Sequence, residues 1–442
     1  VKQGWATPAE RRAFGRTRRK LAHRTDLANW SAKKRAHDPL VLMRESMRGR
    51  LPPLVTLKYE RMMASPFGYF RGAVAVMAAD LAQLPHTGII TQICGDAHVQ
   101  NLGAYASPDG RLLFDIDDFD ETIRGPFEWD GRRMAASLVL AGRAAGCKGG
   151  ECREAVRVFM AQYRKSIQTF AEMPVIQMAR FQVHRLQRIE PVSRALQKAE
   201  RSTPERSAEE LTVESKTHGH RIFREKKPLL TRMVGAKARE IASSLLRYRE
   251  SLQPEVQYFL DQYRLLDVAF KVVGTGSVGL RCYALYLEGN GERDSLFLQM
   301  KEERPSAYAE YLPHGGRRTM NEGQRVAEGQ EAMQMGSDPM LGWTSIAGRD
   351  YLVRQLNDHK GPIELADMSG DALEEYARVC GELLARGHCR SGDACVLAGY
   401  MGTSAKVDEA LVEFAEAYAD QTEKDWKELC RARGAKGNKS TS

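Results

Sequence analysis

The sequence predicts an α+β protein with two lobes, one large and helical, the other small and built on an antiparallel sheet. Three observations point there. Apolar residues recur at helical spacing over 70–84, 132–146, 371–388 and 406–429. Between 270 and 301, short runs rich in aliphatic and aromatic residues are broken by glycine clusters, the pattern of consecutive hairpin strands. In between lies ICGDAHVQNLGAYASPDGRLLFDIDDFDET, residues 93–122, which reads as strand, loop, hairpin and acidic run.

Composition bounds the function. At 442 residues the chain is long enough for two lobes, with the apolar and charged fractions of an ordinary globular protein. Its net charge of +9 is local: residues 1–50 hold 14 Lys+Arg against 4 Asp+Glu, and the remainder 52 against 53. The basic character is therefore no domain-wide nucleic-acid footprint. Eight cysteines lie far apart without C-x-x-C pairs, so free thiols are expected rather than disulfides or zinc. Neither an apolar run of about 20 residues nor a signal-like N-terminal core occurs, so no membrane partner is expected and the expected compartment is the cytoplasm.

Residues 1–40 form a basic arm with Trp5 and Trp30, expected to drape over the fold. The alternative is contact with an anionic partner such as nucleic acid through salt-sensitive attraction. Residues 41–265 read as the helical lobe. Pro52-Pro53 separates two helices, and a helix over 70–84 is expected to open at Arg71. Residues 88–93 read as a buried strand, and Leu112–Phe114 as a strand after the turn Ser107-Pro108-Asp109-Gly110. The helix over 132–146 has Asp130 placed to cap it. Residues 151–190 and 236–265 read as helical. His218-Gly219-His220 reads as a surface hairpin, because no acidic or cysteine partner stands nearby to complete a metal site.

Residues 266–360 form the sheet lobe, and 361–442 are helices returning to the first lobe. Phe270–Val273 is a strand, Gly274-Thr275-Gly276-Ser277-Val278-Gly279 is G-x-G-x-x-G, and Leu280–Leu287 is a second strand. A dinucleotide fingerprint must open a helix after its glycines. Strand, glycines, strand suits a loop that covers phosphates with backbone amides instead. A third strand, Ser295–Lys301, ends in a lysine. A polar helix over 321–334 and a strand over 350–356 follow.

Asp96 and Asn101, spaced D-x-x-x-x-N, and Asp118-Phe119-Asp120 after the hairpin resemble the catalytic core of the kinase-like superfamily, especially its aminoglycoside and choline kinase branch. Gly125-Pro126-Phe127-Glu128-Trp129-Asp130 resembles the element that follows in that branch, although Cys94 stands where many kinases have histidine. Together with Ser65-Pro66-Phe67-Gly68-Tyr69-Phe70-Arg71-Gly72, the run closely resembles a family of bacterial proteins catalogued only as a domain of unknown function. The kinase resemblance implies a two-lobed protein-kinase-like fold, with the catalytic lobe at 41–265 and the nucleotide lobe at 266–360. In a kinase the glycine loop and lysine precede the catalytic loop. Here they follow it, so the implied fold is circularly permuted.

The resemblance further implies ATP and Mg2+. Asp96 would orient or deprotonate an acceptor hydroxyl, with Asn101 and Asp118 on magnesium and Asp115 or Asp120 on a second ion. Lys301 would reach the phosphates beneath Gly274, Thr275, Gly276, Ser277 and Gly279, while Glu328, with Glu331 as fallback, orients it. Gln355 would lie at the adenine hinge, and His388, Arg390 and Asp393 would either face the site or cap helix ends. The expected partners are a nucleotide and an acceptor, small molecule or protein, whose identity the sequence does not carry. Two further readings stay open: a nucleotide-binding pseudokinase, and a metal-dependent hydrolase using Asp96, His98 and the acidic run. Nucleotidyl transfer from the same cleft is a variant of the first reading.

Overall fold

A computed structural model describes residues 6–182, 189–215, 217, 219–272, 274, 276–291, 294–313, 321–356 and 361–437. The architecture is α+β, mostly helical, around one six-stranded antiparallel sheet and smaller two- and three-stranded ones. Helices α1 (Pro8–Thr17), α2 (Pro39–Ser46), α3 (Pro52–Met63), α4 (Pro66–Gly72) and α5 (Val74–Ala82) come first. Strand β1 (Ile90–Ile93), the hairpin β2 (Leu102–Ala106) and β3 (Leu112–Ile116), and β4 (Ile123–Pro126) follow, with β4 antiparallel to β1. Then come α6 (Phe127–Ala144), α7 (Gly149–Glu172), α8 (Val175–Ala179), α9 (Glu190–Glu200) and α10 (Pro204–Leu211).

The hairpin β5 (Thr212–Ser215) and β6 (His220–Phe223) turns at Gly219, so the surface-hairpin reading holds there, with His218 outside the described residues. Strand β7 (Leu230–Arg232) and helices α11 (Gly235–Ser243), α12 (Leu245–Ser251) and α13 (Pro254–Leu260) lead to β8 (Arg264–Lys271), β9 (Cys282–Glu288) and β10 (Ser295–Glu303). Helix α14 (Glu322–Met333) precedes β11 (Gly342–Ile346) and β12 (Arg349–Gln355). The six strands are ordered β11-β12-β10-β9-β8-β7. The short β13 (Gly361–Pro362) extends the β2–β3 hairpin, and α15 (Asp371–Ser391), α16 (Ala394–Met401) and α17 (Lys406–Gly437) complete the chain.

The main core lies among α6, α7, α15 and α17. Helix α6 is buried on nearly every side, and Leu138, Val139 and Leu140 are at most 2 % exposed. Each such side chain contributes roughly 1.5–3 kcal/mol. The first arm packs onto the helical lobe. Helix α1 opens on a capping box of Thr7 and Glu10 and crosses α16 where a Cβ on Gly15 or Gly399 would collide with the facing backbone. Its arginines work inside the molecule: Arg19 donates to the Tyr400 carbonyl at 2.9 Å and Arg24 to that of Met401 at 3.1 Å, at the C-terminal end of α16 where cations are favoured.

Several boundaries differ from expectation. The helix expected over 70–84 is two helices broken at Ala73, so Arg71 sits in the last turn of α4 and opens nothing. Helix α6 begins at Phe127, which puts Asp130 inside its first turn rather than at the cap. The strand expected from 270 begins at Arg264: Leu265, Val268 and Phe270 pack into one core and Leu266 and Ala269 into another, so both faces of the strand are apolar. All eight cysteines are free thiols. Among the described residues, no helix is long and apolar enough to cross a membrane.

Candidate active site

The site begins at the end of β1. Gly95 has φ +76° and lies so close to the Glu121 carbonyl that a Cβ would overlap it, which explains glycine before Asp96. Fully buried Asp130 accepts from the Cys94 and Gly95 amides at 2.8 and 2.9 Å. His388 Nε2 stands 3.2 Å behind Asp130, and the Tyr163 hydroxyl 2.7 Å from His388 Nδ1. A buried polar chain thus runs from α7 through α15 and α6 to the backbone beside Asp96. His388 therefore faces no cleft, Asp393 caps α16, and Arg390 donates to the Ala179 carbonyl.

Asp96 Oδ1 accepts from Arg133 Nε at 2.7 Å, and Arg133 is itself wholly buried beneath Phe70. Asp96 Oδ2 lies 3.8 Å from His98 Nε2. His98 Nδ1 accepts from the Gln100 amide at 3.1 Å, so the neutral ring carries its proton on Nε2. Burial pulls His98 down to about 3, against a partial rise from Asp96. An unfolded histidine takes its proton near pH 6.5 and the folded one does not. Stability is therefore present above about 6.5 and is lost as pH falls towards 3, by up to about 4–5 kcal/mol. Melting temperatures recorded across that window should fall for the wild type and follow a shallower slope for His98→Gln.

Asn101 is buried with its carboxamide fully engaged. Nδ2 donates to the Asp96 carbonyl at 2.8 Å and the Asp118 carbonyl at 3.0 Å, while Oδ1 accepts from the Asp118 amide at 2.8 Å. It ties the two loops together, and only a second lone pair of Oδ1 is left for an ion. The Asp118 side chain is half exposed and lies 3.8 Å from Lys301 Nζ. Lys301 binds both carboxylate oxygens of Asp120, and Ser277 Oγ donates to Asp120 at 2.7 Å. Burial alone would pull Lys301 down, but Asp118 and Asp120 outweigh it and hold the ammonium above its ordinary range. Burial likewise pushes Asp120 up, and Lys301 and Ser277 more than reverse it.

Asp96, Asp118 and Asp120 line one cleft of roughly 400 Å³, and the late lysine meets it through its bond to Asp120. Helix α15 packs beside β1, where the Gln92 N–H donates to Ser391 Oγ at 3.1 Å. The glycine turn joins β8 to β9, but it is pinned rather than poised. Lys58 Nζ donates to the Gly276 carbonyl at 2.7 Å, Arg50 to that of Val278 at 2.6 Å, and the Leu51 amide to that of Gly279 at 2.7 Å. A Cβ on Gly274 or Gly276 would meet open space, and Thr275 lies outside the described residues.

Three expected residues sit elsewhere. Asp115 is buried in β3 and bonded to Arg386 of α15, because strand alternation turns it away from the face that Asp118 reaches after β3 ends. Glu328 points to solvent and bonds Gln324 at 2.8 Å, and Glu331 is also exposed. The α14 residue facing the site is Arg325, which donates to the Asp120 and Arg304 carbonyls at 2.9 and 2.8 Å. Gln355 borders a separate small pocket with Asp117 and Arg354, and its amide donates to Asp338.

Sequence reasoning also missed Glu303. It lies two residues beyond Lys301 on β10 and so shares its face, a spacing legible in the sequence. Glu303 lines the cleft at 5 % exposure, and Oε1 has no hydrogen-bond partner. Burial, reinforced by Asp120, pushes its carboxyl well above the usual range. Cys94 is also buried, with its thiol held protonated mainly by desolvation. Among the described residues, no group of three or more His, Cys, Asp and Glu side chains is arranged to hold a metal ion on its own.

No curated protein and no solved structure matches the chain. A family model does, over residues 50–432, which take in the cleft, the glycine turn and both groups of catalytic candidates. On that match the chain belongs to the family described as uncharacterized proteins conserved in bacteria, DUF2252.

Proposed function

We propose that the protein is an ATP- and magnesium-dependent phosphotransferase of kinase-like, circularly permuted architecture. One observation carries the reading: Lys301, on the second strand after a glycine turn, lies beside Asp118 and Asp120, which follow the D-x-x-x-x-N loop of Asp96 and Asn101. A cation for phosphates, carboxylates for magnesium and a carboxylate for the acceptor are the groups that phosphoryl transfer needs. The order of elements from β8 to α15, then β1 to α6, is the order that the kinase resemblance implies once the chain is read from 266.

The residues fit a magnesium ion. Asp118 offers an exposed carboxylate, Asn101 Oδ1 a remaining lone pair, and Glu303 Oε1 a buried oxygen that lacks a partner. When bound, the ion would neutralise charge on the phosphates. The chain's own residues do the rest. Asp96, held through Oδ1 by Arg133, presents Oδ2 to orient the acceptor hydroxyl. The acceptor oxygen bonds the γ-phosphorus, the bond to the bridging oxygen breaks, ADP leaves with that electron pair, and the acceptor proton passes to Asp96 or solvent. Lys301 must leave Asp120 at least in part to reach a phosphate.

That last point favours one second reading, a nucleotide-regulated pseudokinase, because Lys301 is engaged by Asp120 and the glycine turn is tied down by Lys58, Arg50 and Leu51. His98 argues against the metal hydrolase, since its neutral ring keeps the proton on the nitrogen nearest Asp96. Calorimetric titration with ATP, with and without magnesium, tests both surviving readings. The phosphotransferase expects magnesium-dependent binding followed by ADP formation, and the regulatory module expects binding without ADP. A folded protein that binds neither ATP nor GTP refutes both.

A further inference from the structure

The cleft is lined by arginines that the phosphotransferase reading leaves without a role. Arg50 follows α2, Arg71 ends α4, and Arg304 follows β10, and all three line the cleft that Asp96 borders. None forms an ion pair among the described residues. Arg50 meets only the Ser46 and Val278 carbonyls, at 3.0 and 2.6 Å. Arg71 Nη1 donates to Gln100 Oε1 at 2.8 Å, and its Nε is buried without a partner. The Arg304 guanidinium makes no hydrogen bond among the described residues.

Several arginines elsewhere in the fold are neutralised, although buried Arg132 has no ion pair among the described residues and lies against the Phe414 ring. Arg35 meets Asp80 and Asp425, Arg133 meets Asp96, Arg164 meets Asp408, and Arg386 meets Asp115. Removing a guanidinium from water without a counter-charge is costly, so a group of them around a cavity calls for an anion from outside. Carboxylates also line the cleft, but none forms an ion pair with these three arginines among the described residues: Asp96 is held by Arg133, Asp118 and Asp120 lie beside Lys301, Glu121 accepts from the Ala307 amide at 2.7 Å, and Glu303 Oε1 has no hydrogen-bond partner. Glu45 and Glu310 also border the cleft, but both are exposed. Burial, then the charge of Arg304, pulls Arg50 down to about 10, against a partial rise from Glu121 and Asp120.

We infer that Arg50, Arg71 and Arg304 form an anion subsite that takes a phosphate group carried by the acceptor, so that the acceptor is a small phosphorylated compound with a free hydroxyl. The inference rests on the phosphotransferase reading for the word acceptor, but not for the anion. Guanidinium forks match phosphate oxygens in pairs. The cavity has the volume of a small-molecule site rather than of a protein groove. The same chemistry would also accept the terminal phosphate of the nucleotide, and the test separates the two sources.

Inorganic phosphate is titrated into the full chain at constant ionic strength, with and without saturating magnesium-ATP, for wild type, Arg71→Gln, Arg304→Gln and the charge-keeping Arg71→Lys and Arg304→Lys. Melting curves establish that each variant is folded. The expected result is phosphate binding that coexists with magnesium-ATP, falls at least tenfold in each Gln variant and less in each Lys variant, while ATP affinity stays within twofold. If magnesium-ATP displaces phosphate and the Gln variants weaken both, the subsite belongs to the nucleotide and the acceptor assignment is overturned. If phosphate binds through these arginines but ATP does not bind, the subsite stands and the phosphotransferase reading falls. Absence of phosphate binding, or binding that the Gln variants leave unchanged, overturns the subsite itself.

Discussion

Replacing Lys301 by Met should lower magnesium-ATP turnover about 10²–10³-fold, the scale on which a preorganised charge acts in a transition state. ADP formation, with water or an added hydroxyl compound as acceptor, measures it. The substitution also strips the partner from Asp120, whose side chain is only 22 % exposed. Asp120 is held below its ordinary range, so its contribution to stability is present above about pH 4 and lost as pH falls through the lower folded value. Lys301 is held above its ordinary range, so its contribution is present below about pH 10.4 and lost only as pH rises beyond that. At neutral pH both are intact, and losing the lysine should cost roughly 1–3 kcal/mol. Adding Asp120→Asn should restore most of that stability and none of the turnover. Asp118→Asn should abolish turnover with little change in melting, because its half-exposed carboxylate keeps water as a partner. Turnover unchanged in Lys301→Met would remove the lysine from the chemistry.

The largest expected effect on stability is Arg386→Met. Arg386 and Asp115 are at most 3 % exposed and bonded to each other, and Asp115 also accepts from the Ile116 amide at 2.8 Å. Breaking a buried pair by deleting one member leaves a charge with neither water nor counter-ion, a loss of roughly 3–5 kcal/mol. Removing both charges with Arg386→Met and Asp115→Leu should recover much of it, because the desolvation cost of both disappears together. Urea unfolding of the two single variants and the double variant measures the coupling. A double variant no more stable than Arg386→Met alone would show that Asp115 is not the group left stranded. The pair joins α15 to β3, so it holds a late helix against the early hairpin without lining the cleft.

Local pattern made much of this molecule legible. The long amphipathic and buried helices, the strand–glycine–strand hairpin, the lysine strand and the Asn321-capped helix lie where their periodicities and turn residues put them, because those signals act over a few residues. Asp96, Asn101 and Asp118 were legible as one loop system, which the structure knits through the Asn101 carboxamide. Glu328 and Asp115 were misplaced because a carboxylate's chemistry does not say which face of its helix or strand is buried. Asp130 looks like a helix cap in sequence because its partners, the Cys94 and Gly95 amides, lie far back along the chain.

By itself, then, the sequence determined the α+β character, the elements that flank the cleft, and the residues able to do acid, base and phosphate chemistry. Only the tertiary structure decided which of them meet. It paired Lys301 with Asp120, moved Asp115 onto Arg386, gave Asp96 a buried arginine, and left Arg50, Arg71 and Arg304 around one cavity. The physical reason is that charge pairing and desolvation depend on distances between side chains remote in sequence, whereas helix and strand periodicity depends on neighbours.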